Sequence, residues 1–83
     1  LSGTLDQGNN FLDQGYYDEA IEEYTDAIEL DPNLAVAYYN RGRAYKELGK
    51  KSEAIDDFEK CIALTDNPQL IEMARQQIEE LSE

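Results

Sequence analysis

The sequence has no histidine and no tryptophan, one cysteine and two prolines in 83 residues. Without histidine, the commonest general base and the commonest metal ligand are missing. With Cys61 alone, no intramolecular disulfide can form, and the expected setting is reducing and cytoplasmic. Cys61 falls among Ile28, Leu30, Ile62 and Leu64 in helical register, so it reads as a small core residue and not a nucleophile. Basic residues are scarce as well: 7 Lys and Arg face 19 Asp and Glu, a net charge of −12. Binding to nucleic acid or to an anionic membrane needs a basic surface, so neither is an expected partner. No apolar run approaches the roughly 20 residues of a membrane span. No Gly-rich phosphate loop is present. The segment from Asp13 to Asp18 lacks the acid spacing of a calcium loop. Adjacent acids such as Glu22 and Glu23, or Asp56 and Asp57, diverge on a helix and cannot share a site. No catalytic residue, metal ligand or cofactor is expected, and the chain reads as non-enzymatic.

What the chain does contain is a repeat. Gly8 to Leu30 returns, altered, at Gly42 to Leu64, an offset of 34 residues. Phe11 maps to Tyr45, Gly15 to Gly49, Glu19-Ala20-Ile21 to Glu53-Ala54-Ile55, and Tyr24 to Phe58. Small, aromatic and aliphatic positions persist while most polar ones drift. A unit of this size cannot bury its apolar face alone and stacks on its neighbour.

The apolar spacing predicts five helices. The first covers about 4–14 and stops at Gly15, where a left-handed residue is tolerated. The second, capped by Asp18, runs to about Leu30 and carries Ala20, Ile21, Tyr24, Ala27 and Ile28 on one face. Asp31-Pro32-Asn33 breaks it. The third covers about 34–48 and stops at Gly49; the fourth, capped by Ser52, ends near Leu64. Asn67 and Pro68 open the fifth, whose narrow stripe of Ile71, Ala74, Ile78 and Leu81 suits a helix that closes a stack. Tyr16 and Tyr39 are expected to be the exposed tyrosines. The chain opens at Leu1 and not at Met, and is expected to be excised from a longer protein.

These residues resemble the tetratricopeptide repeat. Gln7-Gly8, Phe11, Ala20, Tyr24 and Pro32 match its pattern in the first unit. Tyr38, Arg41-Gly42, Tyr45, Ala54 and Phe58 match it in the second. Thr4 stands where the family has a large aromatic, and Asp66 where it has proline. The resemblance implies an all-α, right-handed α-solenoid of antiparallel helix hairpins. It would hold one repeat over 1–34, a second over 35–67 and a capping helix over 68–83. It further implies a non-enzymatic protein-interaction module whose first helices line a concave groove for an extended peptide or helix. By analogy the groove residues are Leu5, Asn9, Leu12, Tyr39, Asn40, Arg43 and Lys46, with Asp13 and Glu47 on the same face.

Asn9 and Asn40 resemble two parts of the clamp with which a subfamily holds the C-terminal carboxylate of chaperone tails. Leu5 stands where that clamp has its first lysine, and its third-repeat pair is absent unless Arg75 supplies one member. Arg43 and Lys46 are the cations best placed for an acidic group. The expected partner is therefore a protein or peptide, with an acidic C-terminus among the candidates. The alternative is a self-associating scaffold element, a homodimer or part of a longer array, joined through an N-terminal edge that exposes Leu1, Leu5 and Leu12.

Overall fold

The computed structural model describes residues 2–83, with Ser2 given by its backbone alone. Its elements are α1 (Ser2–Gln14), α2 (Tyr17–Leu30), α3 (Ala35–Glu47), α4 (Lys51–Leu64) and α5 (Pro68–Leu81), with no strand among the described residues. Consecutive helices pack on each other, and α3 also touches α1 and α5. This all-α stack of hairpins is the helical solenoid that the repeat implied.

The two glycine stops have the same physical form. Gly15 has φ 84° and Gly49 has φ 77°, values at which a Cβ would be penalised. The Tyr16 amide donates back to the Phe11 carbonyl at 2.8 Å, and the Lys50 amide to the Tyr45 carbonyl at 2.9 Å. These bonds, spanning one residue more than the helical ones, close the last turn of α1 and of α3. They also correct the expected caps. Tyr16 and Lys50 occupy the cap positions of α2 and α4, and neither makes a side-chain cap bond. The turn delivers the chain so directly into the next helix that Asp18 and Ser52 already lie inside it. Asp18 still favours the positive end of the α2 dipole. Asn67 does cap α5, its side chain accepting from the amides of Gln69 at 2.9 Å and Leu70 at 3.4 Å.

Glycine inside a helix serves close packing here. A Cβ on Gly8 would lie 2.6 Å from the Tyr24 ring, and one on Gly42 would lie 2.9 Å from the Phe58 ring. Each hairpin is thus an aromatic of its second helix pressed on a glycine of its first. Around Tyr24 gather Leu12, Ala20 and Ala44; around Phe58 gather Tyr38, Tyr39, Ala54, Cys61 and Ala74. Cys61 is fully buried, and that burial pushes its thiol up to about 11, which leaves it protonated and inert at neutral pH.

Three exposure expectations need correction. Tyr39 is buried, its ring centroid 5.4 Å from that of Phe58. Leu12 is buried in the Tyr24 cluster and Leu5 is half-buried against it, because α1 folds its apolar side onto α2. Leu1 lies outside the described residues. No exposed leucine edge therefore remains at Leu5 and Leu12. Tyr16, in contrast, is exposed.

Arg41 ties three helices together through its guanidinium. It donates from Nε and Nη2 to the two carboxylate oxygens of Asp57, both at 2.8 Å, and from Nη1 to Thr25 Oγ1 at 3.1 Å. One guanidinium thus joins α2, α3 and α4. It lies between the rings of Tyr38 and Tyr45, 5.7 and 5.8 Å from their centroids. Burial lifts the Asp57 carboxyl above its usual range, and Arg41 counters that lift. The bidentate pair satisfies a charge that would otherwise be costly in the core.

Candidate functional site

A cleft of about 440 Å³ opens where α1, α3 and α5 meet, lined by Leu12, Asp13, Tyr17, Arg43, Lys46, Glu47 and Gln77. Helical geometry explains the set. Leu12 and Asp13 end α1, and Lys46 and Glu47 lie three and four residues after Arg43 on α3, so each shares a face with it. Tyr17 enters from the start of α2 and Gln77 from the middle of α5.

Nearer the start of α1 and α3 lies a wired pair of amides. Asn9 Oδ1 accepts from the Tyr24 hydroxyl at 2.6 Å and from Asn40 Nδ2 at 3.1 Å. With its oxygen held by two donors, Asn9 is oriented so that its Nδ2 group remains as donor. Asn40 spends one of its two N–H groups on Asn9 and keeps the other. Both residues are half-buried, so neutral donors are offered without a buried charge. Burial, as the largest cause, pushes the Tyr24 hydroxyl up to about 12, with Arg43 lowering it and Asp13 raising it. The hydroxyl is therefore protonated, and donates to Asn9, at any physiological pH.

The two cations of the face differ. Arg43 is exposed and takes part in no ion pair among the described residues. Lys46 is engaged: its Nζ donates to Glu80 Oε1 at 2.6 Å and to Gln77 Oε1 at 2.7 Å. Of the residues expected in the groove, Leu12, Arg43 and Lys46 line the cleft, and Asn9 and Asn40 are bonded to each other between α1 and α3. Leu5 packs beside the Tyr24 cluster, and Tyr39 supports α3 from within the core. Arg75 is exposed on α5 and does not line the cleft.

Tyr17, Tyr24 and Gln77 are additions that sequence reasoning missed. A spacing signal existed for one of them. Gln77 follows Lys46 by the same 31 residues that separate Asn40 from Asn9, the step by which first helices of successive units touch. Among the described residues no group of His, Cys, Asp or Glu could hold a metal ion, and no helix is long and apolar enough to cross a membrane.

Comparison with known proteins places this architecture in a family. The family model described as "TPR repeat" matches residues 8–49, and that described as "Tetratricopeptide repeat" matches 35–67. The chain belongs to the tetratricopeptide-repeat family. It is 51% identical over 54 residues to the small glutamine-rich tetratricopeptide repeat-containing protein beta of Homo sapiens, covering 65% of this chain and 18% of that protein. It is 42% identical over 59 residues to the Hsp70-Hsp90 organizing protein 3 of Arabidopsis thaliana, covering 71% of this chain and 11% of that protein. The chain thus spans a small part of the length of these relatives. Among solved structures it is similar to the first TPR of Spaghetti (RPAP3) bound to the HSP90 peptide SRMEEVD. The TM-score is 0.77 and the identity 33%, over 94% of this chain and 68% of that one.

Proposed function

We propose that this domain is a non-enzymatic interaction module that takes an extended peptide with an acidic C-terminal end along the face formed by α1 and α3. The observation that carries this reading is the oriented amide pair Asn9–Asn40 on α1 and α3, the second of which also carries Arg43, whose guanidinium is in no ion pair among the described residues. Two neutral donors fixed by Tyr24 suit a backbone carbonyl or terminal carboxylate, and an exposed Arg suits an acidic side chain. Leu12 supplies apolar wall to the cleft, and Leu5 packs behind it beside the Tyr24 cluster. Tyr39, buried behind Asn40, acts as support and not as a contact. The peptide held by the similar RPAP3 domain, SRMEEVD, has this chemistry, and several relatives are chaperone-organizing proteins. Within this reading, 1–34 and 35–67 are the two repeats, 68–83 is the cap, and the setting is cytoplasmic.

The test is a titration of the isolated domain with the peptide SRMEEVD while backbone amide shifts are recorded. Shifts should cluster around Asn9, Asn40 and Arg43. Losing a charge-assisted bond costs about 1.5–3 kcal/mol, so Arg43→Ala should weaken binding by roughly tenfold or more. Shifts confined to α2 and α4, or none at millimolar peptide, would overturn the assignment.

A further inference from the structure

The pairing of Lys46 has a consequence for what the groove selects. Lys46 lines the cleft on α3, yet its ammonium is already bonded to a carboxylate, Glu80 of α5, and to the Gln77 side-chain oxygen. Glu80 presents to Lys46 the same group that the acidic residue of a peptide would present. We propose that Glu80 is a specificity-determining residue: a built-in anionic competitor that withholds Lys46 and leaves Arg43 to read acidic ligands. The inference rests on the groove reading above.

The charges of the cleft support it. With Lys46 neutralised by Glu80, the lining retains Arg43 against Asp13 and Glu47, neither of which is in an ion pair among the described residues. An acidic segment such as SRMEEVD then meets Arg43 on a wall that is negative on balance, and binds more weakly than it would with Lys46 released. The contact is also displaceable. The Lys46 side chain is 26% and the Glu80 side chain 59% exposed, and pairs this exposed are weak and screened by salt. A strongly acidic ligand can therefore compete for Lys46, but only by breaking the pair.

The experiment is a double-mutant cycle read as the Kd of SRMEEVD. Glu80→Gln should tighten binding by about threefold to tenfold, since a freed ammonium can form a charge-assisted bond with the peptide. Lys46→Met alone removes a cation that Glu80 already holds but leaves the Glu80 carboxylate bare beside the cleft, so it should weaken binding by no more than about threefold. In the Glu80→Gln background, Lys46→Met should abolish the gain. Glu79→Gln removes the same charge one residue away, at an exposed position with no side-chain bond to Lys46. It should leave Kd nearly unchanged, which separates the local pair from the general field of the protein. Thermal melts of each variant establish that it is folded.

Wild-type binding that Glu80→Gln leaves unchanged or weakens overturns the role of Glu80 alone and leaves the groove reading standing. A gain matched by Glu79→Gln also overturns it. Absence of binding by every variant at millimolar peptide overturns both.

Discussion

The Tyr24 hydroxyl links core and site through one bond, 2.6 Å to Asn9 Oδ1. Its ring packs on Gly8, and its proton fixes which way the Asn9 amide faces. Tyr24→Phe keeps the ring and loses the donor. Asn9 Oδ1 retains the Asn40 bond, so no acceptor is left bare, and the cost should stay near the net value of one hydrogen bond, about 1 kcal/mol. The pH dependence follows from the raised pKa. The group sits at about 12 in the folded chain against an ordinary value of 10.0. A group whose folded pKa is raised contributes stability that is complete below the unfolded pKa and is lost as pH rises through the folded one. Tyrosinate cannot donate to Asn9, and its charge would be buried. Wild-type stability should therefore fall between pH 10 and 12, and Tyr24→Phe should fall less over the same interval. Denaturant unfolding of both proteins across that range, beside an absorbance titration of tyrosinate, checks it. Parallel losses in the two proteins would show that Tyr24 ionises without consequence for the fold.

At the scale of helices, the periodicity in the sequence was a sound guide, and so was the Asn67-Pro68 start of α5, whereas the caps expected for α2 and α4 were not. Ala20, Tyr24 and Ala27, or Ala54, Phe58 and Cys61, recur at helical spacing because one face of each helix is buried. Glycine stops were legible at Gly15 and Gly49 because a left-handed turn leaves a residue type behind. Asp18 and Ser52 looked like caps because their side chains can cap, but the glycine turn had already begun the next helix. The exposure of Tyr39 was misjudged for a related reason: α3 is covered on several sides, by α2, α4 and α5, so its pattern does not separate inside from outside. In the candidate site, the placing of Asn9, Asn40 and Arg43 along α1 and α3 was legible from the repeat and the 31-residue step pointed at Gln77, whereas Glu80 enters only when α5 docks on α3. That docking gives α5 a measurable role. Ala74 is fully buried, and Leu70, Ile78 and Leu81 pack on the cluster that holds Cys61. Deleting residues 68–83 should remove a few kcal/mol, since full burial of each such side chain is worth about 1.5–3 kcal/mol and these are half-buried. The Cys61 thiol should then become accessible to a thiol reagent. A truncated chain with an unchanged melting midpoint and a protected thiol would show that α5 is an appendage.

For the molecule as a whole, the dominant electrostatic fact is 19 acids against 7 bases on a body 31 × 27 × 17 Å. At about 0.01 M salt the screening length is roughly 30 Å, so carboxylates at opposite ends repel one another; at about 0.1 M it is roughly 10 Å, and each senses only its neighbours. Unfolding relieves that repulsion by spreading the charges, which makes the native state weaker at low salt. The attractive pairs act against this trend but are few among the described residues. Lys46–Glu80 is exposed and worth about 0.2–1 kcal/mol. Arg41–Asp57 is largely shielded from solvent, so salt reaches it poorly. Loss of one exposed pair cannot outweigh relief of a net charge of −12. The thermal midpoint should therefore rise by several degrees as sodium chloride is raised from about 0.01 to 0.1 M, given that 1 kcal/mol corresponds to roughly 4–8 °C in a domain of this size. Most of the rise should occur in that interval, because the screening length by then is shorter than every dimension of the molecule. Melts followed by circular dichroism at stepped salt concentrations measure it. A midpoint that falls with salt would mean that attractive surface pairs outweigh the net repulsion, and that the acidity of this surface does not limit the stability of the fold.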